Sequence, residues 1–312
     1  MVERLRRMPG IVLDPVLEHT VLIYEERGER AMEAIYRQYL DIAANAGLPM
    51  LCFTPTWRAS QERLARAGLA DRDANADAFR FLSRIRAGYG EASRRILIGG
   101  LAGCAGDAYR PAEALDEETA RRHHKAQLDA LARAGADFLF ALTLPAASEA
   151  AGLARAMRET GLPYIVSFVL NRQGCLLDGT PLSSVIRSID ARVSPPPEGY
   201  MMNCVHPAVC ESALARMDGA ALGRVLGLQA NTSARDPRER DGLPGLETEC
   251  PEMLADAMHA LHRRFGLRIL GGCCGTDDSH IRAIVHRCFP QRGFLWKTRN
   301  YVDFCAACDP PD

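Results

Sequence analysis

Lysine is almost missing from this chain. Of 38 basic residues only Lys125 and Lys297 are lysines, and the rest are arginine, a coding bias that carries no mechanism. Net charge is missing too, since 39 acidic residues leave a formal balance of -1. That balance gives no broad attraction to phosphate, which excludes the strongly basic class of nucleic-acid binders and anionic-membrane binders. No stretch approaches the roughly 18 consecutive apolar residues of a membrane span, and Met1–Gly10 lacks the apolar centre of a secretory signal. A cytoplasmic protein without membrane or nucleic-acid partners is therefore expected. There is no Gly-x-Gly-x-x-Gly turn, no repeat of 20–50 residues and no low-complexity tract. What remains is an ordinary globular composition, 47% hydrophobic and 25% charged over 312 residues, long enough to fold without disulfides or metal.

Short apolar runs alternate with longer amphipathic stretches. Strands are predicted at Ile11–Leu13, Met50–Phe53, Arg95–Gly99, Asp137–Leu142, Tyr164–Leu170, Gly199–Asn203, Arg224–Gln229 and Arg268–Leu270. Several are apolar throughout, as strands buried on both faces are. Helical spacing marks Glu29–Ala46, Glu117–Ala134 and Pro251–Phe265, each followed by a glycine (Gly47, Gly135, Gly266) able to take the left-handed C-terminal turn. Eight strands alternating with helices predict a (β/α)8 TIM-type barrel in one α/β domain over residues 1–288. The tail 289–312 is expected to pack on the barrel or on a partner, and a homo-oligomer is compatible with it.

Eleven cysteines in a reducing compartment point to metal or catalysis where they cluster, and to packing where they do not. The sharpest cluster is Gly271-Gly272-Cys273-Cys274-Gly275-Thr276, directly after the last predicted strand. Neighbouring cysteines reach one metal ion if the backbone turns tightly, which the flanking glycines permit. Cys204, in Tyr200-Met201-Met202-Asn203-Cys204, ends the sixth predicted strand and supplies a third sulfur. Strand ends six and eight open on the same face of a barrel, where active sites form. Three sulfurs with one open position describe a catalytic zinc site, against the plain alternative of three buried small hydrophobes. His206, two residues after Cys204, is a candidate fourth ligand or polar group of the site. Cys305 and Cys308 form an incomplete Cys-x-x-Cys, Gly99–Gly106 reads as a tight loop lining the pocket, and His123 and His124 are expected to face solvent. Cys52, Cys175, Cys210, Cys250 and Cys288 read as packing.

At these positions the sequence resembles the homocysteine S-methyltransferase family of zinc-dependent barrels. The resemblance runs over nearly the whole chain: Gly271–Thr276 with His280-Ile281, Asn203-Cys204, Asp178-Gly179-Thr180-Pro181-Leu182, Ala134–Asp137, Thr54-Pro55-Thr56-Trp57 and Asn231. It implies Zn²⁺ held by Cys204, Cys273 and Cys274, and substrate contacts from Asp14, Glu18, Thr54, Thr143, Asn203 and Asn231. It also implies methyl transfer from a sulfonium-type donor (S-methylmethionine or S-adenosylmethionine) to the thiol of homocysteine or a related small thiol, giving a thioether such as methionine.

Two departures stand out. Where the family carries Asp-Gly-Gly-x-Gly-Thr, this chain reads Asp14-Pro15-Val16-Leu17-Glu18-His19-Thr20, and Pro15 has no N–H to offer a carboxylate. Where the family carries Glu-Thr, this chain has Leu142-Thr143. Losing that carboxylate removes a charge-assisted bond to a substrate ammonium, worth about 1.5–3 kcal/mol. Competing readings are a zinc-binding barrel without turnover, an enzyme for a des-amino thiol, and a methyltransferase component working with a separate corrinoid or folate partner.

Overall fold

A computed structural model describes residues 1–235 and 248–290. Seven strands form one all-parallel sheet in sequence order: β1 (Met50–Phe53), β2 (Ile96–Ala102), β3 (Phe138–Leu144), β4 (Tyr164–Phe168), β5 (Gly199–Val205), β6 (Val225–Ala230) and β7 (Ile269–Gly272). Helices alternate with them, so the expected barrel architecture is present as a single curled domain with seven strands among the described residues. The strands bury both faces. Leu101, Phe138, Phe140, Ile165, Met201 and Leu226 fill the inside, while Leu139, Val166, Met202 and Leu228 meet the helices outside. Each such side chain removed from water contributes roughly 1.5–3 kcal/mol.

The three glycine-stopped helices form as predicted, the first beginning slightly earlier, at Glu26–Ala46, Glu117–Ala134 and Pro251–Phe265. Gly47, Gly135 and Gly266 take φ of 66°, 102° and 69°.

Ile11–Leu13 does not form a strand, which corrects the expectation of eight. The run has no ladder partner, and Ile11 and Leu13 instead pack on a cluster that includes Leu5, Leu22 and Met32. The outer ring of helices still closes, because Glu26–Ala46 packs against Asp278–Cys288. Ile11 and Leu13 satisfy a helix-backed cluster as well as a sheet while Val12 between them faces solvent, and nothing local distinguishes the two.

Two further expectations are corrected. His124 is buried, not solvent-facing: its Nε2 lies 2.9 Å from the carboxylate of fully buried Glu149 on the next helix. His123 is half-buried beside it, their rings 4.8 Å apart. Cys250 is exposed rather than packed, at the N-terminus of Pro251–Phe265. Cys305, Cys308 and all but the first two residues of the predicted tail lie outside the described residues.

Candidate metal centre

The site is built at two strand ends. Cys204 sits near the end of β5, where the register with β6 slips between Asn203 and Val205. Such a bulge re-aims a side chain at the rim of a sheet. Cys204 accordingly takes φ 53°, a left-handed conformation that costs of order 1–3 kcal/mol outside glycine. Thr143, at a matching slip in β3, takes φ 61°.

Two asparagines hold this strained rim. Asn203 Oδ1 accepts from the Thr143 N–H at 2.9 Å and the Ser167 hydroxyl at 2.8 Å, and its Nδ2 donates to Thr143 Oγ1 at 2.6 Å. Asn231 Nδ2 donates to the Cys204 carbonyl at 2.7 Å. Both side chains are fully buried and committed inside the protein. Thr54 is committed in the same way, between Thr56 Oγ1 and the Leu101 N–H.

After β7 the chain makes the turn that the glycines foretell. A Cβ on Gly272 would lie 2.2 Å from Thr276 Oγ1, so only glycine fits there, and Gly275 has φ 83°. Thr276 Oγ1 donates to the Cys273 carbonyl at 2.8 Å, while the Cys273 N–H donates to the Ala230 carbonyl at 2.6 Å. Asp277 and His280 then cap the following helix with a reciprocal pair of hydrogen bonds. Burial raises the Asp277 pKa, but bonds from Ser279 and His280 outweigh it and hold the carboxyl down at about 2.

The result brings Cys204, Cys273 and Cys274 together, with their sulfurs all within 4.8 Å of one another. Cys204 lies 2.7 Å from Cys273 and 3.6 Å from Cys274. Both separations exceed the roughly 2.05 Å of a disulfide. A zinc ion with Zn–S bonds of about 2.3 Å would set tetrahedral sulfur–sulfur edges near 3.8 Å. The second edge fits such an ion as it stands, and the first must open by about 1 Å. Hydrogen bonding to Cys204, together with burial, pushes Cys273 up to about 12 and Cys274 well above the usual thiol range. Cys273 and Cys274 thus resist ionisation until a cation arrives, and the donor set suits a soft, thiolate-binding metal.

His206 is not part of this group. The bulge at Cys204 breaks the strand alternation that would have aligned them, and His206 becomes the N-cap of Pro207–Leu214, accepting the Ala208 N–H at 3.2 Å. Among the described residues, the three cysteines are the one His/Cys/Asp/Glu group able to share an ion.

The sulfurs stand in the wall of a cavity of about 1260 Å³ that is also lined by Glu18, Thr54, Leu142 and Thr143. Asp14 does not line it. Its Oδ1 instead accepts the N–H groups of Val16 and Leu17, at 2.8 and 2.7 Å, in a local turn. Glu18 does reach the cavity and pairs with Arg6 at 3.2 Å. Leu142 presents an apolar side chain to the cavity. Tyr109, in the loop after β2, was not foreseen. Its Oη donates to Cys204 Sγ across 3.7 Å. The signal for it was slight, an aromatic residue in a β–α loop at the mouth of a barrel.

The chain belongs to the homocysteine S-methyltransferase family, whose model matches residues 4–288. S-methylmethionine–homocysteine S-methyltransferase BHMT2 of Mus musculus is 25% identical over 194 residues, covering 58% of this chain and 52% of that protein. Homocysteine S-methyltransferase YbgG of Bacillus subtilis (strain 168) is 25% identical over 181 residues, 58% of this chain and 56% of that protein. The chain thus spans little more than half the length of these relatives. The homocysteine methyltransferase MmuM from Escherichia coli, in a metallated form, superposes with a TM-score of 0.73 at 22% identity over 92% of this chain and 94% of that one, a likeness of fold. No helix among the described residues is long and apolar enough to cross a membrane.

Proposed function

We propose that this protein is a zinc-dependent S-methyltransferase that moves a methyl group from a sulfonium donor, S-methylmethionine or S-adenosylmethionine, to the thiol of homocysteine or a related small thiol. The observation that carries this reading is the meeting of three cysteine sulfurs, from two distant strand ends, in the wall of one large cavity. Family membership supports the same chemistry. Cys204, Cys273 and Cys274 would hold the zinc, and a reducing cytoplasm would keep them as thiols. Zinc supplies a Lewis acid that lets an incoming thiol lose its proton near neutral pH, where a free alkyl thiol is mostly protonated and a poor nucleophile.

The protein's part is positional. Asn203 holds the Thr143 backbone and Asn231 the Cys204 backbone at their left-handed positions, and the Gly272–Thr276 turn sets the other two sulfurs. Leu142, Leu101 and Met201 give the cavity an apolar wall. Metal analysis and a matrix of thiols against donors test the proposal. About one zinc per chain and thioether formation are expected. Full metal content and full activity in both Cys273→Ser and Cys274→Ser would overturn it.

A second reading is favoured by one specific pair of residues. Leu142 offers no charge to an ammonium, and Asp14 spends its carboxylate on Val16 and Leu17. Both features suit an acceptor without an α-amino group. Homocysteine and its des-amino analogue 4-mercaptobutyrate decide the matter, and a hundredfold preference for homocysteine rejects this reading.

A further inference from the structure

The cavity that holds the three sulfurs is larger than a small thiol and its donor require. Pockets of about 300–1,000 Å³ enclose whole drug-sized ligands, and this one measures about 1260 Å³. The extra space lies at the seam of the sheet. Among the described residues β1 pairs only with β2, and β7 only with β6, so the sheet keeps two unpaired edges. Of the eight residues in these two strands only Cys52 is buried, whereas all seven of β5 are. Leu51 and Phe53 line the cavity from the barrel interior, and Met50 and Cys52 line it from the side of the helices. Ile269 and Leu270 do the same from β7. A cavity that touches both faces of both edge strands runs through the seam.

The two ends of this passage differ in chemistry. β7 begins after Arg268 and ends before Cys273, a span of about 16 Å at roughly 3.3 Å per residue. The sulfurs stand at one end. The lining of the other includes Arg263, Arg268 and Arg287 with His259 and His262, and among the described residues no carboxylate lines that end. Arg287 pairs with Asp256 at 2.6 Å, but Asp256 does not line the cavity. His259 Nδ1 is buried and has no hydrogen-bond partner among the described residues. Burial, and then the charges of Arg287, His262 and Arg263, lower the pKa of His259, so the field at this end is positive.

We propose that the acceptor is a long ω-mercapto acid, with its thiol at the cysteines, its apolar chain through the seam between β1 and β7, and its carboxylate at the arginine end. This inference rests on the methyl-transfer reading above and names its acceptor. An extended chain advances about 1.2 Å per bond, so the passage takes about 13 bonds, close to the length of 11-mercaptoundecanoate. In the reaction the acceptor sulfur bonds to the methyl carbon of the sulfonium donor. The old carbon–sulfur bond breaks with its electron pair left on the donor sulfur, and the thiol proton passes to solvent. An acceptor of this class carries no ammonium, in keeping with the apolar side chain of Leu142 in the same cavity.

The test uses the zinc-loaded full chain, with S-methylmethionine and S-adenosylmethionine as donors and kcat/KM as the readout. From 4-mercaptobutyrate through 8-mercaptooctanoate to 11-mercaptoundecanoate the value is expected to rise roughly a hundredfold, as methylenes leave water. 11-Mercaptoundecanoate is expected to exceed 11-mercaptoundecanol about tenfold, and Arg263→Gln to reduce that ratio about threefold. A second readout needs neither metal nor donor. Dodecanoate has the chain and the acid without the thiol, and calorimetry should show it binding one to one, about threefold more weakly in Arg263→Gln. A flat or falling series overturns the inference, and so does an Arg263→Gln variant that changes neither value. Absence of dodecanoate binding overturns it as well, and is the result expected of a seam filled by residues 291–312 or by a second copy of the chain. Methylation of homocysteine alongside a flat series leaves the proposed function standing, whereas no methylation of any thiol overturns that function and the inference with it.

Discussion

The rim at β5 and β7 and the segment 9–19 carry the same family's motifs, yet they have fared differently. At the rim every piece is present and braced: strained Cys204, two buried asparagines, a turn that only glycine permits at position 272, and three sulfurs in reach of one ion. In segment 9–19 the motif survives in part as letters and not as geometry. Asp14 closes a local turn, Pro15 and Val16 replace glycines, and Ile11–Leu13 joins a helical cluster without pairing as a strand. Under the proposed function, the difference teaches that activation and recognition of a substrate are separable here. A metal site is cooperative, since losing one ligand unbuilds it, whereas a recognition site is a sum of contacts that substitutions change one at a time.

Three experiments sharpen or break that contrast. The largest effect is expected at the rim, from Asn203→Ala. It leaves the Thr143 N–H and the Ser167 hydroxyl without their acceptor and Thr143 Oγ1 without its donor, at a cost of about 3 kcal/mol. Denaturant unfolding should show that loss together with weakened zinc binding. A loss below about 0.5 kcal/mol would mean that the rim braces itself without Asn203.

The next effect belongs to recognition. Leu142→Glu should improve homocysteine relative to 4-mercaptobutyrate roughly thirtyfold, the worth of about 2 kcal/mol from a charge-assisted bond. The readout is the ratio of kcat/KM for the two thiols. An unchanged ratio would show that the ammonium end of the acceptor does not lie beside Leu142, and the contrast between the two regions would lose its chemical meaning.

The smallest is a pH effect in the rewritten segment. Burial of His19 lowers its pKa from 6.5 to about 3, so the folded protein keeps the ring neutral while the unfolded chain protonates it. The lowered value belongs to a base, so its contribution is fully present above pH 6.5 and drains away as pH falls from 6.5 toward 3. The slope is about 1.4 kcal/mol per pH unit, or about 2 kcal/mol lost by pH 5. Unfolding free energies of wild type and His19→Phe from pH 7 to 5 should diverge in slope by that amount. Parallel curves would show that His19 is hydrated in the native state.

The residues that were legible in advance are those whose meaning is local. The glycine-stopped helices end where a left-handed turn is needed, and the Gly-bracketed Cys pair advertises a tight turn by its own neighbours. His206 was misplaced because alternation along a strand holds only while the ladder is regular, and the bulge at Cys204 lies between the two. His124 was misplaced because helical periodicity registers a polar residue without registering Glu149 waiting on the next helix. Asn203, Asn231 and Thr54 were picked out as site residues, but their positions alone could not separate touching a substrate from bracing the backbone that does.

Sequence alone therefore settled the strand–helix alternation, the barrel class and the three sulfurs, because periodicity, turn chemistry and a rare residue cluster are written in adjacent positions. Tertiary structure alone decided that the first strand is not formed, that Asp14 turns away from the cavity, and that Tyr109 meets Cys204 across 95 residues of chain. Those outcomes depend on which surfaces meet when the sheet curls. A polar group or short apolar run with several local uses takes the one its distant neighbours make cheapest in free energy.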